Sequence, residues 1–312
     1  VSHPVVTALL PVVVLILLGV LAGRRQWIGA AAVKDISQLV FYLLAPALLF
    51  RTLALAPTEA FDLGPVFAYF AAAGLIFAAT LVWFRCDRRA TVLAIANTYS
   101  NAVMIGITLI GLAYGPEGLV TQLALVSLHS AVLLTAATLA IELAVAREAD
   151  RGGARPTLLR TLAQGLFKSL WHPVPAPILL GLLWAHLGWG LPPLVDKTLL
   201  LLGQAFAPVA LLVVGVTLAH SPLAGQWRAA LGMALVKNLL HPALVWVLAT
   251  LLGVDGLART VIVVAAALPI GANVYLFAQR YRVAEAEVTA AVGVSTLLAL
   301  ATVPIVMWLA GS

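Results

Sequence analysis

Two short stretches concentrate the side chains of this sequence that are best suited to bind a small molecule. One is Asn97-Thr-Tyr-Ser-Asn101, which runs on as Ala-Val-Met-Ile-Gly106 inside an otherwise apolar span. The other is Ala267-Leu-Pro-Ile-Gly-Ala-Asn273, entered from Thr260-Val-Ile-Val-Val-Ala-Ala and left through Val274-Tyr-Leu-Phe-Ala278. Asparagine amides and the Ser100 hydroxyl offer neutral donors and acceptors. Pro269 removes a backbone donor and clashes with the preceding turn, while Gly271 gives access to left-handed or extended backbone. A transmembrane helix broken there leaves N–H and C=O groups unpaired, which is tolerated only inside protein or beside a wet cavity. A lone proline is as readily an ordinary kink. Two interrupted spans, one in each half of a chain, are the pattern of a transporter binding site.

The polar residues near these breaks favour an anion. If the two spans cross, each second half-helix aims its N-terminus, with free N–H groups and partial positive charge, at the crossing. Asn97, Ser100, Asn101 and Asn273 add side-chain donors. Of the acids, only Glu142 falls inside a span, near its end; the others lie at span ends or in loops. A pump built on a titrating intramembrane carboxylate is therefore disfavoured. Lys237 is the one cation well inside a span. It either neutralises a substrate carboxylate or snorkels to the interface. His241 lies one turn beyond it on the same face, as a proton relay or a hydrogen-bonded packing residue. His129 invites the same two readings, and Gln204, four residues before Pro208, is within reach of such a site.

The elements that must hold these residues are membrane helices. Of 312 residues, 63% are hydrophobic and only 10% charged, and the mean hydropathy is +1.08. A soluble domain carries about 25% charged residues. At about 20 residues per span, the chain accommodates ten, expected near 5–22, 33–55, 63–84, 90–114, 119–145, 173–189, 198–219, 228–252, 257–280 and 288–310. The first reads as a retained helix and not as a signal peptide. Pro46 and Pro208 are expected to break the second and seventh spans, and Gly115-Pro-Glu-Gly118 to form the turn between the fourth and fifth. The single cysteine, Cys86, rules out an intrachain disulfide and a thiolate metal site.

Fourteen of the eighteen Lys and Arg fall on alternate connections, which by the positive-inside rule puts those loops in the cytoplasm and both termini outside. The halves also echo each other. Val33-Lys-Asp precedes Pro46 as Val195-Asp-Lys precedes Pro208, His3-Pro matches His172-Pro, and the two interrupted spans correspond. With five spans per half the halves insert in opposite senses. The expected domains are a first five-helix repeat over 1–146, a basic cytoplasmic loop over 147–170 and a second repeat over 171–312.

The sequence has no HExxH, no Gly-x-Ser-x-Gly and no Walker A motif, which argues against an enzyme and against an ATP-driven pump in one chain. No cofactor is expected. Loop topology accounts for the basic balance, so no nucleic-acid partner is expected either.

Four stretches carry a family resemblance: Leu39-Val-Phe-Tyr-Leu-Leu-Ala-Pro-Ala-Leu-Leu-Phe50; 97–106 with 111–115; Val236-Lys-Asn-Leu-Leu-His-Pro242; and 266–273 with Ala278-Gln-Arg-Tyr281. In these the chain resembles, over essentially its whole length, the auxin efflux carrier family, which includes plant auxin carriers and bacterial malonate or malate permeases. The resemblance implies an all-α membrane fold of ten helices, arranged as two inverted five-helix repeats with crossed, broken helices 4 and 9, of the bile-acid symporter and auxin carrier type. It further implies scaffold and transport domains each built from both repeats, elevator-type alternating access, and contact between Asn101 and Asn273 (with Asn97 a further candidate) and a substrate carboxylate. Where the family often has Gly-x-Pro after the first asparagine, this chain has Gly106-Ile-Thr108, so polar residues and not a proline would open that crossover. The expected function is secondary transport of a small organic anion, a dicarboxylate such as malonate or malate, in a bacterial inner membrane. The expected site comprises Asn97, Ser100, Asn101, Gln204, Lys237, His241, Pro269, Gly271 and Asn273. A co-transported proton or sodium ion and a homodimer stay open, as do the rival readings of an auxin-like monocarboxylate carrier and a non-transporting receptor or scaffold.

Overall fold

The computed structural model describes residues 4–55, 62–149, 174–220 and 226–310. Among them every regular element is helical: α1 Pro4–Arg24, α2 Ala30–Ala54, α3 Gly64–Trp83, α4 Arg88–Ala96, α5 Thr108–Ala149, α6 Pro175–His186, α7 Pro193–His220, α8 Trp227–Leu251, α9 Gly256–Ala267, α10 Asn273–Tyr281 and α11 Glu285–Ala310. Six helical stretches are long and apolar enough to cross a membrane, namely α2, α3, Ala102–Val145, α7, α8 and α11. Leu10–Arg24, Ala176–His186 and α9 are shorter apolar helices. Large apolar side chains such as Leu17, Phe67, Leu75, Val82, Leu297 and Ile305 stand exposed along these helices, as lipid contact requires and a water-facing surface does not. The protein is an integral membrane protein. Most of the expected basic loop, 150–170, and the His3 and His172 matches lie outside the described residues.

Two expected breaks are absent. Helix α2 passes through a π-helical turn, Val40–Leu44, and continues with Pro46 at the start of its second part. The wider turn absorbs the missing proline N–H. Helix α8 does the same, with Val236–Leu240 ahead of Pro242. Helix α7 runs through Pro208 unbroken. The expected turn at Gly115 is a sharp kink within α5, where Gly115 adopts φ 63° and ψ −157°; the positive φ favours glycine.

The chain divides into two compact units, each drawing segments from both halves of the sequence. The first holds α1, α2, the stretch Ala102–Ser127, α6 and α7. In it α1 and α7 touch backbone to backbone: a Cβ on Gly19 would fall on Leu212 O, and one on Gly215 on Ile16 O. Small residues at such contacts are what lets membrane helices approach closely. Arg51 Nε donates to Asp196 Oδ1 at 2.7 Å, tying α2 to α7.

The second unit holds α3, α4 with the residues up to Asn101, α5 from Leu128 onward, and α8 to α11. Alanines fill its centre, with Ala90, Ala94, Ala96, Ala265, Ala266 and Ala267 all fully buried. Asp87 caps α4 by accepting from Ala90 N at 2.6 Å. Arg89 donates to Glu287 Oε2 at 2.7 Å, joining the first turns of α4 and α11. That hydrogen bond holds the guanidinium above its ordinary value.

Candidate functional site

Both polar stretches are helix breaks, and both lie in the second unit. Helix α9 ends at Ala267 because Pro269 cannot donate the next helical hydrogen bond; Leu268 turns out of the helix with φ −59° and ψ 151°. Helix α4 ends at Ala96, just before Asn97-Thr-Tyr-Ser-Asn101, after which a π-helical turn, Ala102–Ile107, resumes the helix without a proline. The two breaks pair as a short antiparallel bridge between Ser100 and Ile270. Asn101 N donates to Pro269 O at 2.8 Å and Gly271 N donates to Tyr99 O at 3.0 Å. Each break thus satisfies backbone groups of the other, as nothing in lipid could.

The remaining N–H of each bridging residue points to a side chain of the same unit. Ser100 N donates to His129 Nε2 at 3.4 Å, and Ile270 N donates to Ser295 Oγ at 3.0 Å. The break after α4 takes its acceptor from α5, and the break after α9 takes its acceptor from α11. Tyr69 Oη, fully buried on α3, lies 2.9 Å from Ser100 Oγ and 3.2 Å from His129 Nε2. To accept the Ser100 N–H, His129 presents a lone pair at Nε2.

The expected residues separate into distinct roles. Asn273 Nδ2 donates to Tyr99 Oη at 2.8 Å, and that hydroxyl lies 2.6 Å from Ser130 Oγ. Asn273 is half-buried, as is Asn101, whose amide makes no hydrogen bond to the described residues. These two amides flank the bridge with donor and acceptor capacity to spare. Asn97 is turned the other way, giving Nδ2 to Thr80 Oγ1 at 3.2 Å. Ser100 and Pro269 are buried in the crossing itself. Gly271 is needed for closeness and not for an unusual φ, since a Cβ there would stand 2.8 Å from Tyr99 Cδ1 and 3.0 Å from Ser100 O.

Lys237 does not snorkel. It is 0% exposed, and Nζ donates to Ala266 O at 2.5 Å and Leu268 O at 2.8 Å. It therefore caps the carbonyl end of α9, where the helix dipole is negative. His241 is equally buried; both ring nitrogens lack a partner among the described residues, and its ring centroid lies 5.0 Å from that of Tyr69. Gln204 belongs to the first unit, exposed on α7. The crossing also uses Tyr69, Thr80, Ser130 and Ser295, which sequence reasoning missed. Their one signal was a polar group inside an apolar span. Among the described residues no group of His, Cys, Asp and Glu could hold a metal ion.

Comparison with known proteins bears on this geometry. A family model described as "Membrane transport protein" matches residues 4–307. A Rhizobium meliloti (strain 1021) protein named "Putative malonate transporter" is 30% identical over 309 residues, which is 96% of this chain and 94% of that one. An Arabidopsis thaliana protein named "Auxin efflux carrier component 8" is 26% identical over 241 residues, 65% of this chain and 66% of its own.

Proposed function

The chain belongs to the Membrane transport protein family, that of the auxin efflux carriers, and is a transporter and not an enzyme; we propose that it is a secondary carrier for a small organic anion, a dicarboxylate such as malonate or malate. One observation carries this reading: two helices broken in mid-span pair backbone to backbone, with the half-buried amides of Asn101 and Asn273 beside the pair. Neutral donors and half-helix N-termini bind carboxylate, and among the described residues no acidic side chain is placed there to attract a cation. The 30% identical relative supports the substrate class through its name.

In this reading the carrier has ten spans in two inverted five-helix repeats, 1–146 and 171–312, joined by a cytoplasmic loop, with both termini outside a bacterial inner membrane. The matched acceptors His129 and Ser295 support the inverted relation. The first unit serves as scaffold and the second carries substrate by elevator-type alternating access. Two units, each built from both halves, are what that division needs.

The experiment is uptake of labelled malonate into liposomes holding the purified protein, with malate and indole-3-acetate as competitors. Saturable uptake competed by malate is the expected result. Competition by the aromatic acid alone would favour the auxin-like reading, which the Arabidopsis relative supports over 65% of the chain.

A further inference from the structure

The crossing is short of positive charge. Lys237 is the only Lys or Arg side chain buried there among the described residues, and its nitrogen is held by Ala266 O and Leu268 O. The other titratable side chains gathered there are Tyr69, Tyr99, His129 and His241, without an Asp or Glu among the described residues. Elsewhere in this unit Asp87, Asp255, Glu285 and Glu287 stand at helix ends, and Glu142 accepts from Tyr281 Oη near the end of α10.

We propose that the carrier takes its dicarboxylate in the singly charged hydrogen form, one carboxylate ionised and one carboxyl protonated, so that the co-transported proton arrives on the substrate. This rests on the dicarboxylate reading above. The charge argument comes first. Two buried negative charges need two positive partners or a large desolvation penalty goes uncompensated. The crossing offers one at most. With Lys237 as an ammonium, a monoanion brings the charge to zero; with Lys237 as an amine, the second negative charge is still less tolerable.

Hydrogen bonding points the same way. Asn273 gives one amide N–H to Tyr99, leaving its second N–H and its Oδ1. Asn101 keeps a whole amide. A carboxylate accepts only, so each Oδ1 it meets is a repulsive neighbour. A carboxyl group accepts from the amide N–H through its C=O and donates its O–H to Oδ1. An amide is matched by an acid in a way it is not matched by the anion.

The test uses the full chain in liposomes. Initial uptake of labelled malonate is measured at a series of pH values spanning its second ionisation, and inhibition by malonamate is measured alongside. Malonamate is the half-amide, close in shape to hydrogen malonate and singly charged throughout. The expected KM for total malonate rises about tenfold per pH unit above the second ionisation, while the malonamate inhibition constant stays level. A malonate KM that does not change with pH would overturn the proposal and leave the dicarboxylate reading standing. So would constants for malonate and malonamate that rise together, since a group on the protein would then be titrating. Absence of malonate uptake at every pH would instead overturn the dicarboxylate reading, and this proposal with it.

Discussion

Tyr99 joins three parts of the crossing at once. Its carbonyl accepts from Gly271 N, its ring lies against Gly271 and 4.5 Å centroid to centroid from His129, and its hydroxyl stands between Asn273 Nδ2 and Ser130 Oγ. In the proposed carrier the hydroxyl fixes which edge of the Asn273 amide is free for substrate. Tyr99→Phe keeps the ring and the backbone bond and removes only that restraint. A hydrogen bond of this kind contributes about 0.5–1.5 kcal/mol net. Uptake by the variant is expected to show a KM raised by roughly 2- to 10-fold, with protein of normal melting behaviour. An unchanged KM would mean that Asn273 is oriented by something else. The asparagines were legible in the sequence because amides are rare in apolar runs. Tyr69, Ser130 and Ser295 were not, because their value lies in which backbone N–H or hydroxyl they meet, and only the packing of α3, α5 and α11 decides that. Gly271 was singled out for its freedom of φ, whereas the structure requires it for the closeness of Tyr99.

At the scale of elements, a helix broken inside a membrane needs an owner for every freed carbonyl. Lys237 supplies two donors at the end of α9, and the bridge supplies one each to Pro269 O and Tyr99 O. Lys237→Met removes both donors while keeping most of the volume. Leaving buried carbonyls unpaired costs about 1–3 kcal/mol each, so the variant is expected to melt several degrees lower in detergent, before any effect on transport is considered. Equal melting would show that these carbonyls find other partners. The same accounting explains why Pro269 breaks its helix and Pro46 does not. Where Leu268 leaves the helix the other break waits to pair, whereas α2 widens into a π turn and closes again. Proline in the sequence marks a place where a helix can open; the partner that makes opening worthwhile is a matter of tertiary structure.

At the scale of the whole molecule, the long apolar segments and the two interrupted spans were visible in composition and order. The grouping of α1, α2, α6 and α7 into one unit was not, since it depends on contacts between residues far apart in sequence. One such contact makes a sharp prediction. Gly215→Ala places a methyl group on Ile16 O, and forced overpacking costs about 1–3 kcal/mol or more; Gly232→Ala, on α8 with nothing within 4 Å of its Cβ, is the control. The first variant is expected to lower the melting temperature of the purified protein and the second to leave it alone. Equal effects would remove the α1–α7 contact as a determinant of that unit. The claim on which the rest depends is that the paired helix breaks bind the substrate carboxylate. Its most direct test is malonate uptake into liposomes by Asn273→Ala and Asn101→Ala, each first shown to melt like the unaltered protein. Loss of a charge-assisted hydrogen bond of about 1.5–3 kcal/mol predicts at least roughly tenfold weaker uptake at low substrate for each variant. Full flux through both folded variants would contradict the assignment of the site.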